Sequence, residues 1–424
     1  MEKIKQKIFF RTYGCTLNYS DSEVMKGLLV KAGFCIVANE SESALIVFNT
    51  CTVKDPTEKK FFYALSKVKK PVVIAGCIPQ AEQKDDLRFK DFSVVGVRQL
   101  DKIVDVVVET LKGNVVHHLG MNKNDRLNLP KIRKNGLVEI IPICNGCLGD
   151  CAYCKTRFAR GKLVSYEPKV IKKQFESAVK EGIKEFWITS QDNGAYGKDI
   201  NTSLAELLNA LLEVGGNYKI RIGMINPNFF IEQFDDLIKI FKDDRMFKFL
   251  HLPVQVGSNR ILGLMRRKYT KEDFVQLIER IRKEIPDITI STDIICGFPS
   301  ETEEEFQKTL ELIKRTKPGV LNISKFYARP GTEAARMKPL ATKIVKKRSK
   351  ELRDVFMKLA LQENRKWIGW QGDVFVDEKN KDGSFTGRNF AYKPVIVNGK
   401  VLLGETINVK VFDASSYDLK SQII

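Results

Sequence analysis

The sequence predicts an α/β fold in three parts: an N-terminal parallel-sheet domain (1–120), a central partial (β/α)6 barrel (130–360) and a small all-β barrel (365–424). Three observations support this division. Strand and helix patterns alternate through the first two parts, which is typical of parallel sheets covered by helices. The first strands each run into a cysteine, and the last part changes to short alternating strands.

Composition bounds the class of protein. A chain of 424 residues can form two or three domains with a sizeable core. Its hydrophobic content of 43% and charged content of 29% are ordinary for a globular protein. No apolar run approaches the roughly eighteen residues of a membrane span, and residues 1–5 do not begin a signal peptide. We therefore expect a cytoplasmic protein without a membrane partner.

The net charge of +19 and the nine cysteines indicate which partner the protein binds and how its thiols are used. A basic surface gains free energy when it releases counterions from phosphates, so a polyanionic partner is one interpretation. A lysine-rich surface that serves only solubility is the other. An odd number of cysteines without an export signal argues against a disulfide framework and favours metal ligands or reduced core thiols.

Each of the first three predicted strands runs into a cysteine. The strands cover residues 7–12, 44–48 and 72–75. The cysteines that follow them are Cys15, Cys51 and Cys77. The carboxyl ends of parallel strands lie along one edge of a sheet, where ligands gather. Spacing alone therefore leaves two interpretations, a shared three-thiol metal site or three separate buried thiols.

The sequence predicts other details of the first part. A helix is expected to begin near residues 18–21, and another pattern of helical spacing covers 58–69. The polar residues that offer cap chemistry for the first helix are Ser20, Asp21 and Ser22. Unlike the other three cysteines of this part, Cys35 does not follow a predicted strand, and it is predicted to be a packed core thiol. His117 and His118 are predicted to lie exposed in a linker.

A second cysteine cluster follows the apolar run 138–143. Cys147, Cys151 and Cys154 have the spacing C-x3-C-x2-C, and thiolates this close can converge on zinc or on an iron–sulfur cluster. Three ligands on a four-iron cube leave one iron free, as a catalytic zinc keeps one position open. Cys144 allows a second interpretation, two C-x2-C pairs of a structural zinc site. Zinc ribbons usually separate their pairs by about a dozen residues or more, so the short interval favours a cluster.

After this loop the chain alternates helix and strand, and with the preceding strand this makes six β/α units. The predicted strands cover residues 138–143, 185–189, 219–224, 249–254, 287–295 and 320–327. In such barrels function collects at the carboxyl ends of the strands. His251 lies at one of these ends, where a structural hydrogen bond is as consistent with a lone histidine as catalysis is. Cys296 is predicted to be packed without a metal role.

Short motifs along most of the chain resemble the methylthiotransferase branch of the radical S-adenosylmethionine enzymes. Around the central cysteines they are Gly146-Cys147-Leu148, Tyr153-Cys154-Lys155-Thr156 and Ala159-Arg160-Gly161. In the first part they are Thr12-Tyr13-Gly14-Cys15, Asn49-Thr50-Cys51-Thr52-Val53 and Gly76-Cys77. In the barrel they include Ser190-Gln191-Asp192-Asn193-Gly194, His251-Leu252-Pro253-Val254-Gln255 and Thr292-Asp293-Ile294-Ile295-Cys296-Gly297-Phe298-Pro299. Within the branch they most resemble the archaeal and eukaryotic enzymes that act on threonylcarbamoyladenosine in tRNA.

The resemblance implies two [4Fe–4S] clusters and S-adenosylmethionine as cofactors. The ligands of the cluster that binds S-adenosylmethionine would be Cys147, Cys151 and Cys154. The ligands of an auxiliary cluster, again with one iron free, would be Cys15, Cys51 and Cys77. The residues implied to contact S-adenosylmethionine are Gln191, Asp192, Gln255 and Asp293. Relatives often carry glutamate where Gln191 stands, and its carbonyl still offers an acceptor for the ammonium group.

The implied reaction inserts sulfur and a methyl group at C2 of threonylcarbamoyladenosine next to the tRNA anticodon, starting from a radical made by reductive cleavage of S-adenosylmethionine. The implied partners are the anticodon stem-loop of tRNA, a one-electron donor protein and a sulfur donor, and a monomer is expected. Two alternatives stay open. One is a sister methylthiotransferase acting on isopentenyladenosine in tRNA or on a ribosomal-protein aspartate. The other is a non-catalytic, metal-stabilised RNA-binding protein.

The last part begins after a lysine-rich helical stretch at 337–365. Its predicted strands cover residues 372–377, 385–388, 393–397 and 406–412. Position and pattern resemble the TRAM domain, and small β-barrels of this kind commonly bind single-stranded nucleic acid. From Lys366 onward there are eight Lys and Arg against seven Asp and Glu. The basic excess therefore lies mostly in the other two parts.

Overall fold

The computed structural model describes residues 6–53, 55–82, 87–121 and 126–424. The first five residues, which carry the expectation about a signal peptide, lie outside the described residues. Within the described part, the first unit is a parallel six-stranded sheet. Its strands in chain order are Lys7–Thr12, Cys35–Val37, Leu45–Thr50, Val72–Gly76, Ser93–Gly96 and His117–His118. The helices that cover it are Thr16–Lys31, Asp55–Leu65, Cys77–Glu82 and Ile103–Leu111.

The sheet is ordered so that its most apolar strands lie inside. Leu45–Thr50 and Val72–Gly76 occupy central positions and every residue in them is buried. Helices cover both faces of such a parallel sheet, so its central strands are continuous apolar runs. The strand and helix alternation predicted for this part is therefore confirmed, with the second helix ending at Leu65 rather than Lys69.

The predicted start of the first helix is wrong. The helix begins at Thr16, directly after Cys15, and no side chain caps it. The residues predicted to cap it are instead buried inside the helix; they are Ser20, Asp21 and Ser22. The Ser22 hydroxyl lies 2.7 Å from Thr12 Oγ1 and accepts from Asn49 Nδ2 at 2.9 Å. These polar side chains serve tertiary contacts, and a cap pattern in sequence does not distinguish the two uses.

Two further expectations for this part are wrong. His117 and His118 form the last strand of the sheet and are half-buried, with His117 Nε2 3.1 Å from the Phe92 carbonyl oxygen. Cys35 begins the strand at the opposite edge and is only half-buried, so it is not a core thiol. Both segments are too short for a recognisable alternation, and edge pairing gives them their structure.

The central unit is an open arc of six parallel strands in chain order, as predicted. The strands are Val138–Pro142, Glu185–Thr189, Lys219–Ile222, Phe249–His251, Thr289–Cys296 and Val320–Lys325. They form two three-stranded sheets, and a parallel bridge between Ile220 and Met246 joins the halves. The surrounding helices are Thr156–Arg160, Pro168–Lys180, Leu204–Leu212, Pro227–Glu232, Phe234–Phe241, Asn259–Leu264, Lys271–Glu284 and Glu303–Thr316. The sequence pattern predicts one helix over 229–241, whereas the structure has two that meet at Gln233. Gln233 Nε2 donates to the Gly194 carbonyl at 3.2 Å.

The last unit is a closed five-stranded barrel reached through the helix Thr342–Arg365. Its strands are Gln371–Lys379, Phe385–Arg388, Pro394–Val397, Thr406–Ala414 and Leu419–Ile423. The fifth strand was not predicted, because its sequence Leu-Lys-Ser-Gln-Ile is short and mostly polar. It pairs with two strands and closes the barrel. None of the described helices combines the length and apolarity that a membrane span requires.

A buried lysine joins the small barrel to this helix and predicts a pH dependence. Lys393 Nζ donates to Asn364 Oδ1 at 2.8 Å, and burial lowers the pKa of Lys393 from 10.5 to about 8. Between these pH values the unfolded chain binds more protons, so the free energy of unfolding rises with pH. We expect a rise of about 3 kcal/mol across this window, relative to Lys393→Met, in urea unfolding of both proteins. A constant difference between the two would contradict the shift.

Candidate metal centres

The central cysteines lie in the loop after the first barrel strand, at the carboxyl end of the sheet. All three are half-buried: Cys147, Cys151 and Cys154. Gly149 N donates to Cys147 Sγ at 3.2 Å, and a Cβ at Gly149 would lie 3.3 Å from Cys147 Sγ and 3.7 Å from Cys151 Sγ. These two sulfurs therefore flank the same small space, and glycine keeps it open.

The electrostatics of this loop suit a cation. Burial raises the pKa of Cys147 to about 12, and Asp192 and the other two cysteines add to the rise. Burial also raises the pKa of Cys154, and Cys151 adds to it. Bound metal ions replace the thiol protons and offset the unfavourable free energy of burying ionised thiolates side by side. Among the described residues, no three thiol, imidazole or carboxylate groups are gathered for a single metal ion. A four-iron cube bonds each thiolate to a different iron, so this donor set fits a cluster.

Arg267 contacts the central cysteines directly. Its Nη1 donates to Cys151 Sγ at 3.2 Å, and its Nε donates to the Tyr269 hydroxyl at 2.8 Å. Its Nη2 donates to Asn226 Oδ1. A guanidinium that donates to sulfur stabilises negative charge there. The sequence analysis predicts no role for this arginine.

Cys144 lies just before this loop, and the hydrogen bonds described above go to other sulfurs. It is fully buried in the short strand Cys144–Asn145, and its thiol interacts with the Ser190 side chain. Burial raises the pKa of this thiol. The side-chain partner of this thiol is Ser190, outside the cluster loop, and its exclusion from the ligands stays a prediction. Cys296 is also buried, at the end of the strand Thr289–Cys296.

The polar residues predicted to bind S-adenosylmethionine lie at two groups of strand ends. Gln191 Oε1 accepts from Gly146 N at 2.8 Å and so holds the residue before Cys147. Asp192 is buried and accepts from Gly194 N at 3.2 Å and from Asn226 N at 3.1 Å. The Gln191 amide therefore fastens the start of the cluster loop, whereas the Asp192 carboxylate joins its own loop to the next strand end at Asn226. Their contact with the cofactor stays a prediction.

The second group joins two later strands. Gln255 is buried with φ = +75°, and its N–H donates to the Asp293 carbonyl at 2.8 Å. The Asp293 carboxylate accepts from Asn322 Nδ2 at 2.8 Å and lies 3.0 Å from His251 Nε2. A residue other than glycine at positive φ is a strained backbone position of the kind that clusters at functional sites. His251 therefore makes a structural hydrogen bond, which is one of the two roles that the sequence allows for it.

The N-terminal cysteines lie along the carboxyl edge of their sheet, near one another but, among the described residues, not gathered around a single metal position. Cys15 precedes the first helix and is exposed, whereas Cys51 and Cys77 follow central strands and are buried. A Cβ at Gly14, which has φ = +110°, would lie 2.8 Å from Cys51 Sγ, so the turn and the second thiol are in close contact. Burial raises the pKa of Cys51 to about 12, and Cys77 and Cys15 both add to the rise. The three thiols are thus near enough to repel one another when ionised.

A buried ion-pair network connects the helix that follows the central cysteines to the N-terminal unit. Arg160 ends the helix that follows the central cysteines, and its Nη2 donates to Asp21 Oδ2 at 2.7 Å. Arg126 Nη2 lies 2.6 Å from the other oxygen of Asp21, and all three side chains are at most 4% exposed. Burial raises the pKa of Cys77, and the Arg160 guanidinium, which donates to this thiol, opposes the rise. Arg160 therefore lies between Asp21 and Cys77.

A second arginine attaches the N-terminal unit to the far end of the barrel. Arg329, which follows the last barrel strand, donates from Nη2 to the Thr52 carbonyl at 2.8 Å and to the Glu58 carboxylate. Thr52 is next to Cys51 in sequence. The N-terminal unit therefore contacts both the first and the last unit of the barrel at its carboxyl end, through Arg160 and Arg329. The sequence does not predict either set of contacts, because their partners lie in distant parts of the chain.

Comparison with known proteins agrees with this architecture. Three family descriptions match: the Radical SAM superfamily over residues 141–313, Uncharacterized protein family UPF0004 over 7–96 and the TRAM domain over 369–424. Among solved structures, the radical S-adenosylmethionine methyltransferase TsrM from Kitasatospora setae aligns with TM-score 0.54 and 14% identity. The alignment covers 78% of this chain and 74% of TsrM. At that identity the likeness shows the fold alone.

Curated relatives cover almost the whole chain. The threonylcarbamoyladenosine tRNA methylthiotransferase of Homo sapiens is 41% identical over 430 residues, covering 98% of this chain and 74% of the human protein. The protein named probable threonylcarbamoyladenosine tRNA methylthiotransferase of Pyrococcus horikoshii is 39% identical over 425 residues, covering 99% of each chain. Radical SAM membership implies S-adenosylmethionine and one [4Fe–4S] cluster as cofactors. The chain belongs to the threonylcarbamoyladenosine tRNA methylthiotransferases of the radical SAM superfamily.

Proposed function

We propose that this enzyme places a methylthio group on C2 of threonylcarbamoyladenosine beside the tRNA anticodon, and that it uses two [4Fe–4S] clusters. The observation that carries this proposal is that Arg160, which ends the helix after the central cysteines, contacts Asp21 and Cys77 of the N-terminal unit. The names of relatives similar over nearly the full chain support the same substrate. The proposed domains are 1–120 for the auxiliary cluster, 130–360 for the radical SAM core and 365–424 for the TRAM barrel.

In the core, the residues that would hold the cluster are Cys147, Cys151 and Cys154. The cluster and S-adenosylmethionine, when bound, supply radical chemistry that no side chain provides. The protein holds the sulfurs in place: Gly149 N and Arg267 donate to them, and Gln191 fixes the start of the loop. We assign the orientation of S-adenosylmethionine to the polar groups at the strand ends, Gln191, Asp192, Gln255 and Asp293.

In the N-terminal unit, the residues that would hold the auxiliary, sulfur-supplying cluster are Cys15, Cys51 and Cys77. Arg160 donates to the Cys77 sulfur and offsets its negative charge. The contacts of Arg160 and Arg329 hold this unit across the carboxyl end of the barrel. A covered site excludes water and strengthens the electrostatic interactions within it.

The proposed partners follow from the chemistry. The anticodon stem-loop presents its target base in an unpaired loop, where displacement from the stack costs less than in a duplex. A one-electron donor protein and a sulfur donor must come from outside the chain. We place the protein in the cytoplasm with its tRNA and expect it to act as a monomer.

Mass spectrometry of tRNA nucleosides from cells lacking the protein tests the function. We expect 2-methylthio-threonylcarbamoyladenosine to disappear, its unmodified precursor to accumulate, and the wild-type gene to restore the product. Persistence of the product in the deletion strain would contradict the proposal. Loss of the methylthio derivative of isopentenyladenosine instead would identify the sister reaction.

A further inference from the structure

A cationic groove lies outside the barrel mouth, where the last barrel strand, the helix Thr342–Arg365 and the small barrel meet. It has a volume of about 480 Å³. The residues that matter for its chemistry are Lys325, Lys346, Lys350, Arg353, Phe356 and Tyr417. The remaining lining side chains are apolar or hydroxyl-bearing, apart from one methionine thioether, so no carboxylate lines the groove.

The positive charge of this groove is largely uncompensated. Lys346, Lys350 and Arg353 follow the i, i+4, i+7 spacing that places side chains on one helix face. Within the described residues, the three lysines of the groove have no ion pair, and Arg353 pairs with its sequence neighbour Asp354 at 3.3 Å. Like charges one helix turn apart destabilise the helix, and a bound polyanion reverses that effect.

An exposed aromatic ring lies beside these cations. Tyr417 is 69% exposed, and its loop is ordered by hydrogen bonds rather than by packing of the ring. Ser416 Oγ donates to the Met357 carbonyl at 3.0 Å, and Ser415 Oγ donates to Asp418 Oδ1 at 2.8 Å. Rings held in this way beside a basic groove are stacking platforms for the bases of single-stranded nucleic acid.

The groove begins at the rim of the candidate active site. Lys325 is the last residue of the strand Val320–Lys325, at its carboxyl end. Successive side chains of a strand point to opposite faces. Asn322 Nδ2 donates to Asp293 on the face of the strand toward the barrel. Lys325 is three residues further along the strand, so its side chain lies on the opposite face, where it lines the groove. A chain leaving the groove at Lys325 therefore reaches the mouth of the barrel around one edge strand.

We propose that this groove binds a single-stranded segment of the tRNA substrate, with phosphates on its lysines and one base stacked on Tyr417. The inference rests on the proposed function for the identity of the RNA. It assigns the electrostatic part of tRNA binding to the helix between core and TRAM barrel, in keeping with the near-neutral charge of that barrel.

Binding of an unmodified anticodon stem-loop transcript to the full-length protein, measured by fluorescence anisotropy at several salt concentrations, tests the groove. For Lys346→Glu/Lys350→Glu we expect Kd to rise at least about tenfold and the salt slope to flatten by about 1 to 2. For Tyr417→Ala we expect Kd to rise about tenfold with the slope unchanged, and Tyr417→Phe to bind like wild type.

The charge-matched control is Lys169→Glu/Lys173→Glu, on the helix Pro168–Lys180 that flanks the opposite edge of the barrel. Its Kd and slope should stay near wild type. Equal effects of the groove and control pairs, or none from either pair, would overturn the inference. Nucleoside analysis of the deletion strain carrying the wild-type gene reports the proposed function separately. Restored product together with unaltered transcript binding by the groove variants would refute the groove alone.

Discussion

Replacing Asp21 with asparagine is expected to destabilise the protein by about 3–5 kcal/mol and to deplete the iron held by the N-terminal cysteines. Asp21 has no exposed surface and pairs with Arg126 at 2.6 Å and Arg160 at 2.7 Å. The variant leaves two buried guanidinium groups without their anion. A buried charge without a partner lowers the free energy of unfolding more than replacing the whole ion pair by apolar side chains does. The freed Arg160 also loses the contact that places it against Cys77.

Two controls separate the effect on the fold from the effect on metal loading. Glu139 is also fully buried and accepts from Arg133 Nε at 2.6 Å, so Glu139→Gln should destabilise the protein while leaving the N-terminal cysteines loaded. Glu40 pairs with Arg11 at the surface, so Glu40→Gln should cost less than about 1 kcal/mol.

Chemical denaturation and iron analysis of anaerobically reconstituted protein provide both readouts. Two cubes amount to about eight irons per chain, and we expect Asp21→Asn to fall toward about four. An Asp21→Asn protein with wild-type stability would show that the network contributes little. A Glu139→Gln protein that loses the same iron would show that the depletion follows from general destabilisation.

Sequence patterns predicted the elements whose signals are local. The sequence pattern predicts a helix over 271–284 and the structure has it with these bounds, beginning at a capping box formed by Thr270 and Asp273. The strand Glu185–Thr189 was also predicted with its observed bounds. The start of the first helix was misplaced because Asp21 and its neighbours look like a cap. Their actual partners include Arg160, which is 139 positions away in sequence.

The candidate site shows the same division between local and distant information. Cysteine spacing identified two candidate donor sets, since C-x3-C-x2-C and cysteines at strand ends are visible along the chain. The groups that contact their sulfurs were not predicted: Arg267 is 116 positions from Cys151. The Gln191 carbonyl was assigned to an ammonium group, yet in the structure it already accepts from Gly146 N. Such contacts depend on how loops meet in the folded protein, which spacing does not encode.

Alanine at Cys77 or at Cys154 is expected to abolish formation of methylthio product, for two different reasons. Each variant should retain only about four irons. Cys154→Ala removes a ligand of the core loop and should also abolish cleavage of S-adenosylmethionine. Cys77→Ala leaves that loop intact and should keep the cleavage activity, because the auxiliary set would supply only sulfur. Iron and sulfide content, 5′-deoxyadenosine formation and tRNA nucleoside analysis measure the three effects.

Cys296 and Cys144 provide matched controls, because both thiols are as buried as Cys77 but belong to neither set. Cys296→Ala and Cys144→Ala should keep about eight irons and form product. A Cys144→Ala protein without its core cluster would make Cys144 a ligand of that cluster. Eight irons in Cys77→Ala would instead show that Cys77 is not a ligand of the auxiliary cluster. Because the two cysteine sets lie on different chain segments, each substitution should affect one set directly.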